Sequence, residues 1–400
     1  MQLCFFDDTR ATRLMPLTLT KPSNMVRVGI LTITEKWEHY LSPDLVTRQM
    51  PEYMAGVYPA PEIDPSADCI WINGRFLPDH QVLGEILQLS TDEGLMHKHT
   101  PVAMRMDGTR SVSIFNAGSL PGAEISFSDT EHGTLLDAPW QVFAFNGEQV
   151  QADISLLKAK LRTVDEKKYP GVHFQSPYQV YVKDGAVIEP GSIIMAGDGP
   201  VYIGEKATIM SGAMLRGPVA VCSHATIKMG AKIYGDTTIG PWCKAGGELQ
   251  NVVMQAYSNK GHDGFLGNSA IGEWCNLGAD TNNSNLKNNY SNVRLTEWET
   301  GKDYDTGLQF CGTIMGDHSK TAINTMLNTG TVCGVCSNIV LGDFPPKHIK
   351  SFRWLTKNGE DIYKFDKAME TAGRMMERRG IEITPEYRAM MRFLFEKANR

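Results

Sequence analysis

Cys333 and Cys336 form the one Cys-x-x-Cys pair of the chain, a spacing that can hold a soft metal or cycle as a disulfide. A zinc tetrad needs a second such pair or nearby histidines, and neither is present, so no metal site is expected there. His224, His262 and His318 lie 38 and 56 residues apart, with no closely spaced pair among them. The eight cysteines (4, 69, 222, 243, 275, 311, 333 and 336) are too sparse for a disulfide framework and read as reduced thiols, as in the cytoplasm. What these side chains can do then depends on the scaffold that positions them.

The scaffold is written as a repeat. Ile203, Ile209, Leu215, Val221, Ile227, Ile233 and Ile239 recur at intervals of six, with Gly, Ala, Ser, Thr and Asp between them. Six residues advance an α-helix by about 600°, so these aliphatics cannot form one helical stripe. They fit a parallel β-helix with three short faces per coil, each aliphatic stacked on its counterpart one coil away. The pattern resumes at Ile271 and Leu277, and again at Met315, Thr321, Leu327, Cys333 and Ile339. The intervals of 32 and 38 residues between these blocks exceed whole repeats, which predicts loop insertions near 245–264 and 282–312. The second is rich in Asn, Asp, Thr and Gly.

The rest of the 400 residues falls into distinct segments. Residues 1–167 lack the period and alternate apolar runs with polar stretches, as an α/β domain does. A Pro- and Tyr-containing stretch, 168–184, reads as a linker to a β-helix over 185–346. Residues 347–400 read as two helices divided by Gly380 and Pro385. This tail carries 13 basic and 8 acidic residues and is expected to cap the last coil with a solvated basic face. The whole chain has 39 basic and 45 acidic side chains, net −6, which argues against a nucleic-acid partner. No apolar run reaches the roughly 18 residues of a membrane span, and no secretory leader is recognisable, so a cytoplasmic protein is expected.

Within residues 239–285, Asn-Lys-Gly-His at 259–262, Phe-Leu-Gly-Asn-Ser-Ala-Ile-Gly at 265–272 and Asn-Leu-Gly-Ala-Asp-Thr at 276–281 carry a family resemblance. The chain resembles the bifunctional N-acetylglucosamine-1-phosphate uridyltransferase/glucosamine-1-phosphate N-acetyltransferase family, most closely its diverged Bacteroides-type branch. The resemblance implies a left-handed β-helix, a homotrimer with an acyl-CoA cleft between subunits, and acetyl-CoA as co-substrate. It assigns His262 as general base and places Glu248 and Asn285 with it as catalytic residues. Ala279 aligns beside the coenzyme thioester. Acetyl transfer to an amine suits such a set, because the amine sheds a proton as the C–N bond forms and histidine as a residue type titrates near neutrality. Lys232 aligns with the phosphate-binding Arg, keeping the charge but losing the bidentate fork. Phe265 replaces a Tyr, and Lys260 and Lys287 are candidates to restore positive charge at the substrate. The acceptor implied is an amino-sugar 1-phosphate or a nucleotide sugar.

At the N-terminus, Asp7-Asp8-Thr9-Arg10-Ala11-Thr12-Arg13-Leu14-Met15-Pro16 resembles the signature loop of sugar-1-phosphate nucleotidyltransferases. The resemblance implies a Rossmann-like α/β fold and a nucleoside triphosphate held by Thr12, Arg13 and Lys21. Thr9 and Ala11 stand where the family has glycines, and Ser23 where it has a Lys. It also implies Mg²⁺, yet the Asp expected after Gly74 is Arg75, which opposes a cation. Two alternatives stand beside acetyl transfer. One is a sugar-1-phosphate nucleotidyltransferase (uridylyl or thymidylyl) with the β-helix as an oligomerisation scaffold. The other, a γ-type carbonic anhydrase, lacks the paired histidines it needs.

Overall fold

A computed structural model describes residues 1–118 and 124–400. It divides into two compact units, one of Met1–Leu14, Thr20–Val26 and Leu31–Asp137, the other of Met15–Leu19, Arg27–Ile30 and Ala138–Arg400. The α/β boundary expected at 167 therefore falls thirty residues earlier. The helix Asn146–Leu157 belongs with the second unit because its polar groups are satisfied there: Asn146 Nδ2 donates to Asp236 O (2.9 Å), and its Oδ1 accepts from Gly29 N (2.8 Å) and Thr238 Oγ1 (3.1 Å).

The first unit is an α/β domain on a six-stranded mixed sheet. Strand Gln2–Phe6 lies one in from the edge and pairs in parallel with both Leu45–Arg48 and Cys69–Asn73; the latter pairs antiparallel with Thr100–Met106. Both parallel strands QLCFF and CIWIN are buried at every residue, as a sheet covered on two faces requires. Cys4, Phe6, Trp71, Met104 and Met106 pack on one face, where Trp71 Nε1 donates to Ser111 Oγ of the helix Gly108–Ala117.

The second unit holds the parallel β-solenoid. Its faces are ladders, such as Val201–Val219–Thr237 and Met214–Lys232–Glu248–Phe265, stepping one coil at a time. Every aliphatic of the first periodic block is inside: Ile203 through Ile239 are at most 2% exposed. Burying each such side chain is worth roughly 1.5–3 kcal/mol, repeated coil after coil, so the stacked column dominates this unit's stability. The solenoid starts earlier than the repeat suggested. Strands His173–Gln175 and Val180–Val182, in the stretch read as a linker, already pair with Ile193–Met195 and Val201–Ile203.

The two interruptions differ in kind. Ile203, Val221 and Ile239 pair at 18-residue steps, but Ile239 pairs with Met254 and Met254 with Ile271, steps of 15 and 17. Residues 245–264 thus lie within two shortened coils and are not an insertion: Glu248–Met254 turns its corner at the single left-handed residue Asn251 (φ +52°) and keeps its pairing on both sides. The second is a true excursion: Ile271 pairs with Met315, 44 residues on, and the added length contains the hairpin Arg294–Thr296/Asp303–Asp305. The chain ends in helices Phe365–Glu377 and Pro385–Ala398. No helix among the described residues is long and apolar enough to cross a membrane.

Candidate active site

One solenoid face carries a polar ladder, Thr226–Lys244–Asn259–Asn276–Lys320, one residue per coil. Side chains in register point the same way, so these five share one outward surface. The amphipathic helix Phe365–Glu377 buries Phe365, Ala368, Met369, Ala372 and Met376 and leaves Arg374 on its other side. Between ladder and helix lies a cavity of about 640 Å³. Lys228, Lys244, Lys320, Arg374, Arg378 and Arg379 line it, together with His262, Tyr257, Trp274, Ala279 and Ile323. Among the described residues, no Asp or Glu lines it.

Lys228, Arg378 and Arg379 repel Lys244 across this space, while Arg374 is paired with Glu370 (2.7 Å). Burial, and then Arg379, Lys228 and Arg378, pull the Lys244 ammonium below the usual lysine range. Burial does the same to Lys320, whose Nζ donates to His318 O (2.7 Å). Like charges held this close are costly unless an anion joins them, so the electrostatics of the cavity suit a ligand with several negative charges. Its aromatic wall, Tyr257 and Trp274, belongs to a corner column of the solenoid. Trp242, Tyr257, Trp274 and His318 all have φ near +60°, and each amide donates to the coil before it. Tyr257 and Trp274 stack at 4.1 Å with ring planes 3° apart, and Arg379 lies 5.6 Å over the Trp242 ring.

His262 stands exposed on this cavity, in the turn between Lys260 and Gly264. That turn is fixed from below. Lys260 is fully buried, and its Nζ donates to the carbonyls of His262 (2.6 Å) and Asp263 (2.8 Å) and, at 3.5 Å, of Gly246. Burial pulls its ammonium down to about 8. Gly264 follows at φ +114°, and a Cβ there would come 2.3 Å from Thr281 O, so only glycine closes the turn.

The structure brings some expected site residues together and separates others. His262 and Ala279 share the cavity. Lys260, expected at the substrate, is spent on backbone carbonyls instead, because it is the inward residue of its strand. Lys232, Glu248 and Phe265 form a row in register on another face, with Lys232 Nζ 3.5 Å from Glu248 Oε2. Asn285 Nδ2 donates to Asn268 Oδ1 (2.8 Å) beside that row and, like the Phe265 ring, packs over Gly267. Lys287 Nζ donates to Asn292 O (2.5 Å) within its own loop. None of these five lines the cavity. The tail basic residues, expected to face solvent, include three that face it: Arg374, Arg378 and Arg379. The local excess of positive charge after residue 347 was the signal for them.

In the N-terminal unit Thr12 and Arg13 lie on a short 3-10 turn, Ala11–Leu14, with Arg13 exposed, while Lys21 is buried. The acidic centre nearby is filled by protein. Arg75 is fully buried; its Nη2 lies 2.6 Å from Asp8 Oδ2 and its Nη1 2.9 Å from Asp137 Oδ1. Mg²⁺ seeks oxygen ligands at about 2.0–2.1 Å in an octahedron. A guanidinium already bonded to both carboxylates leaves no such set, so the residues present do not fit the metal.

The fold thus joins an α/β unit to a parallel β-solenoid with a cationic cavity. Residues 3–162 match the family model for sugar nucleotidyl transferase. Among solved structures, the chain is similar to the UDP-N-acetylglucosamine acyltransferase from Campylobacter jejuni, at 13% identity and a TM-score of 0.20, over 56% of this chain and 94% of that one. Comparison with curated proteins gives no match.

Proposed function

We propose that the solenoid unit is an acetyl-CoA-dependent N-acetyltransferase acting on an amino-sugar phosphate or nucleotide sugar. The observation that carries this reading is the cavity: six cations and no carboxylate, with one imidazole at its edge. Coenzyme A offers what such a space needs, several phosphate charges on one ligand and an aromatic base for a wall containing Tyr257 and Trp274. Ala279, which lines the same cavity, is assigned to the thioester end of the ligand.

In the reaction the acceptor nitrogen attacks the thioester carbon and passes its proton to His262. The C–S bond then breaks, and the departing thiolate takes a proton. Lys260 contributes by holding the carbonyls of residues 262 and 263, so the imidazole is presented from a fixed turn. The acceptor sugar is assigned to Lys232, Glu248, Phe265 and Asn285, on the adjoining face that the chain enters directly after the His262 turn, with its amine reaching over that turn to the imidazole. A homotrimer, in which a neighbouring copy supplies the facing wall, accompanies this reading.

The test is thiol release from acetyl-CoA against a panel of amino-sugar phosphates. Release is expected to fall by at least about a hundredfold in His262→Ala, the low end for loss of a general base. Equal rates in both proteins remove His262 from the mechanism. A second reading, a sugar-1-phosphate nucleotidyltransferase with the solenoid as scaffold, is favoured by the match over residues 3–162. Absence of thiol release with every acceptor shifts the assignment to it.

A further inference from the structure

The acidic centre of the N-terminal unit supports an inference that does not depend on acyl transfer. Asp7 and Asp8 follow the carboxyl end of strand Gln2–Phe6, and Gly74 and Arg75 follow that of its parallel neighbour Cys69–Asn73. The carboxyl ends of adjacent parallel strands are where such sheets place ligands. Here the place is taken by a side chain. Arg75 Nη2 and Nε engage the two oxygens of Asp8 (2.6 and 3.2 Å), and Nη1 engages Asp137 Oδ1 (2.9 Å) and the Leu136 carbonyl. Asn73 closes the ring: its Nδ2 donates to Asp8 Oδ2 (3.1 Å) and its Oδ1 accepts from Arg75 N (3.0 Å). Asp7, half-buried beside them, accepts from Ser23 Oγ, and desolvation pushes its carboxyl up to about 6.

We propose that the Arg75 guanidinium is a built-in cation that takes the position of a divalent metal between Asp8 and Asp137, so that this unit works without a metal ion at that centre. Both Asp8 oxygens are committed to the fork and to Asn73, and the fork is matched to carboxylates as a spherical ion is not. A divalent ion entering the ring would have to displace a covalently tethered charge. Removing that charge leaves Asp8 and Asp137 facing one vacated volume, with Asp7 adjacent. The prediction is therefore that deletion of the guanidinium creates a cation site which the native protein lacks.

The experiment is a Mn²⁺ titration of the full chain followed by electron paramagnetic resonance, in which bound ion loses the sharp signal of free ion. The wild type is expected to show no saturable binding up to about 1 mM, while Arg75→Ala takes up one equivalent in the 0.1–1 mM range of weak carboxylate sites. Adding Asp8→Asn to Arg75→Ala is expected to abolish that uptake. Arg75→Gln, neutral and nearer in size, serves if the alanine variant does not fold, and is expected to bind as it does. Saturable binding by the wild type that Asp8→Asn removes overturns the proposal, and so does a folded, charge-deleted variant that binds no Mn²⁺.

Discussion

The two units manage charge in opposite ways. In the N-terminal centre one cation, Arg75, is enclosed by Asp8 and Asp137 and both its forks are satisfied. In the solenoid cavity six cations surround open space and no carboxylate lines it. A buried ion pair closed on itself stabilises only while both partners remain, whereas a cluster of like charges, relieved at Arg374 by Glu370, lowers stability and gains it back from a ligand. The first arrangement is finished by the protein; the second is finished by what binds.

That contrast can be broken by removing positive charge from each place. Arg75→Ala is expected to destabilise the N-terminal unit by roughly 2–4 kcal/mol, because it empties a fully buried position and strands the half-buried Asp8 and Asp137 carboxylates, and urea unfolding measures this. A loss below about 1 kcal/mol would show that the pair is not structural. In the cavity the sign reverses. Replacing Lys244, Arg378 and Arg379 together by Ala is expected to leave the melting temperature equal to or above that of wild type, yet to weaken coenzyme A binding by at least about a hundredfold in calorimetry. A drop in melting temperature with unchanged binding makes these side chains structural.

The next effect sharpens the N-terminal half of the comparison. The folded Asp7 pKa, about 6, lies above its ordinary 3.8, so between those values the folded state holds a proton that the unfolded state has released. Stability contributed by Asp7 therefore falls as pH rises from about 4 to 6. Asp7→Asn should flatten that stretch of the profile and be more stable than wild type at pH 7 by roughly 1–2 kcal/mol. An unchanged slope assigns it to other carboxylates. The smallest effect belongs to Lys260, a cation held by carbonyls alone. Its folded pKa of about 8 lies below the ordinary 10.5, so the unfolded state binds the extra proton in that window. Wild type should then gain roughly 1 kcal/mol relative to Lys260→Met between pH 8 and 10, read from paired denaturant melts.

The solenoid was legible because each inward aliphatic answers to one position per face, and Ile203 to Ile239 keep that spacing without a gap. Counting by sixes failed at 239–271, where a coil closes only after three faces. Thirty-two residues are two shortened coils of 15 and 17, not five repeats with two residues to spare. The boundary at 137 was hidden because Asn146 is bound by Gly29, Asp236 and Thr238, partners that no local pattern announces. The motif singled out His262 and Ala279, and both line the cavity. Three of the six cations, Arg374, Arg378 and Arg379, come from at least 95 residues further on, and meet the cavity because the chain at and after the helix Phe365–Glu377 docks there. Tyr257 and Trp274 hold left-handed corners usually given to Gly or Asn, so turn chemistry did not point to them. Arg75 was seen to oppose a metal, but its partners Asp8 and Asp137 lie 67 and 62 residues away.

All eight cysteines are buried, and burial pushes the thiols of Cys69, Cys243, Cys311, Cys333 and Cys336 up to about 12. Alkylating reagents attack thiolates, so the folded protein should be nearly silent to them. Because two of these sulfurs sit in the first unit's sheet and the others along successive solenoid coils, each becomes a clock. The order in which they react under mild denaturant reports which coil, or which sheet, opens first.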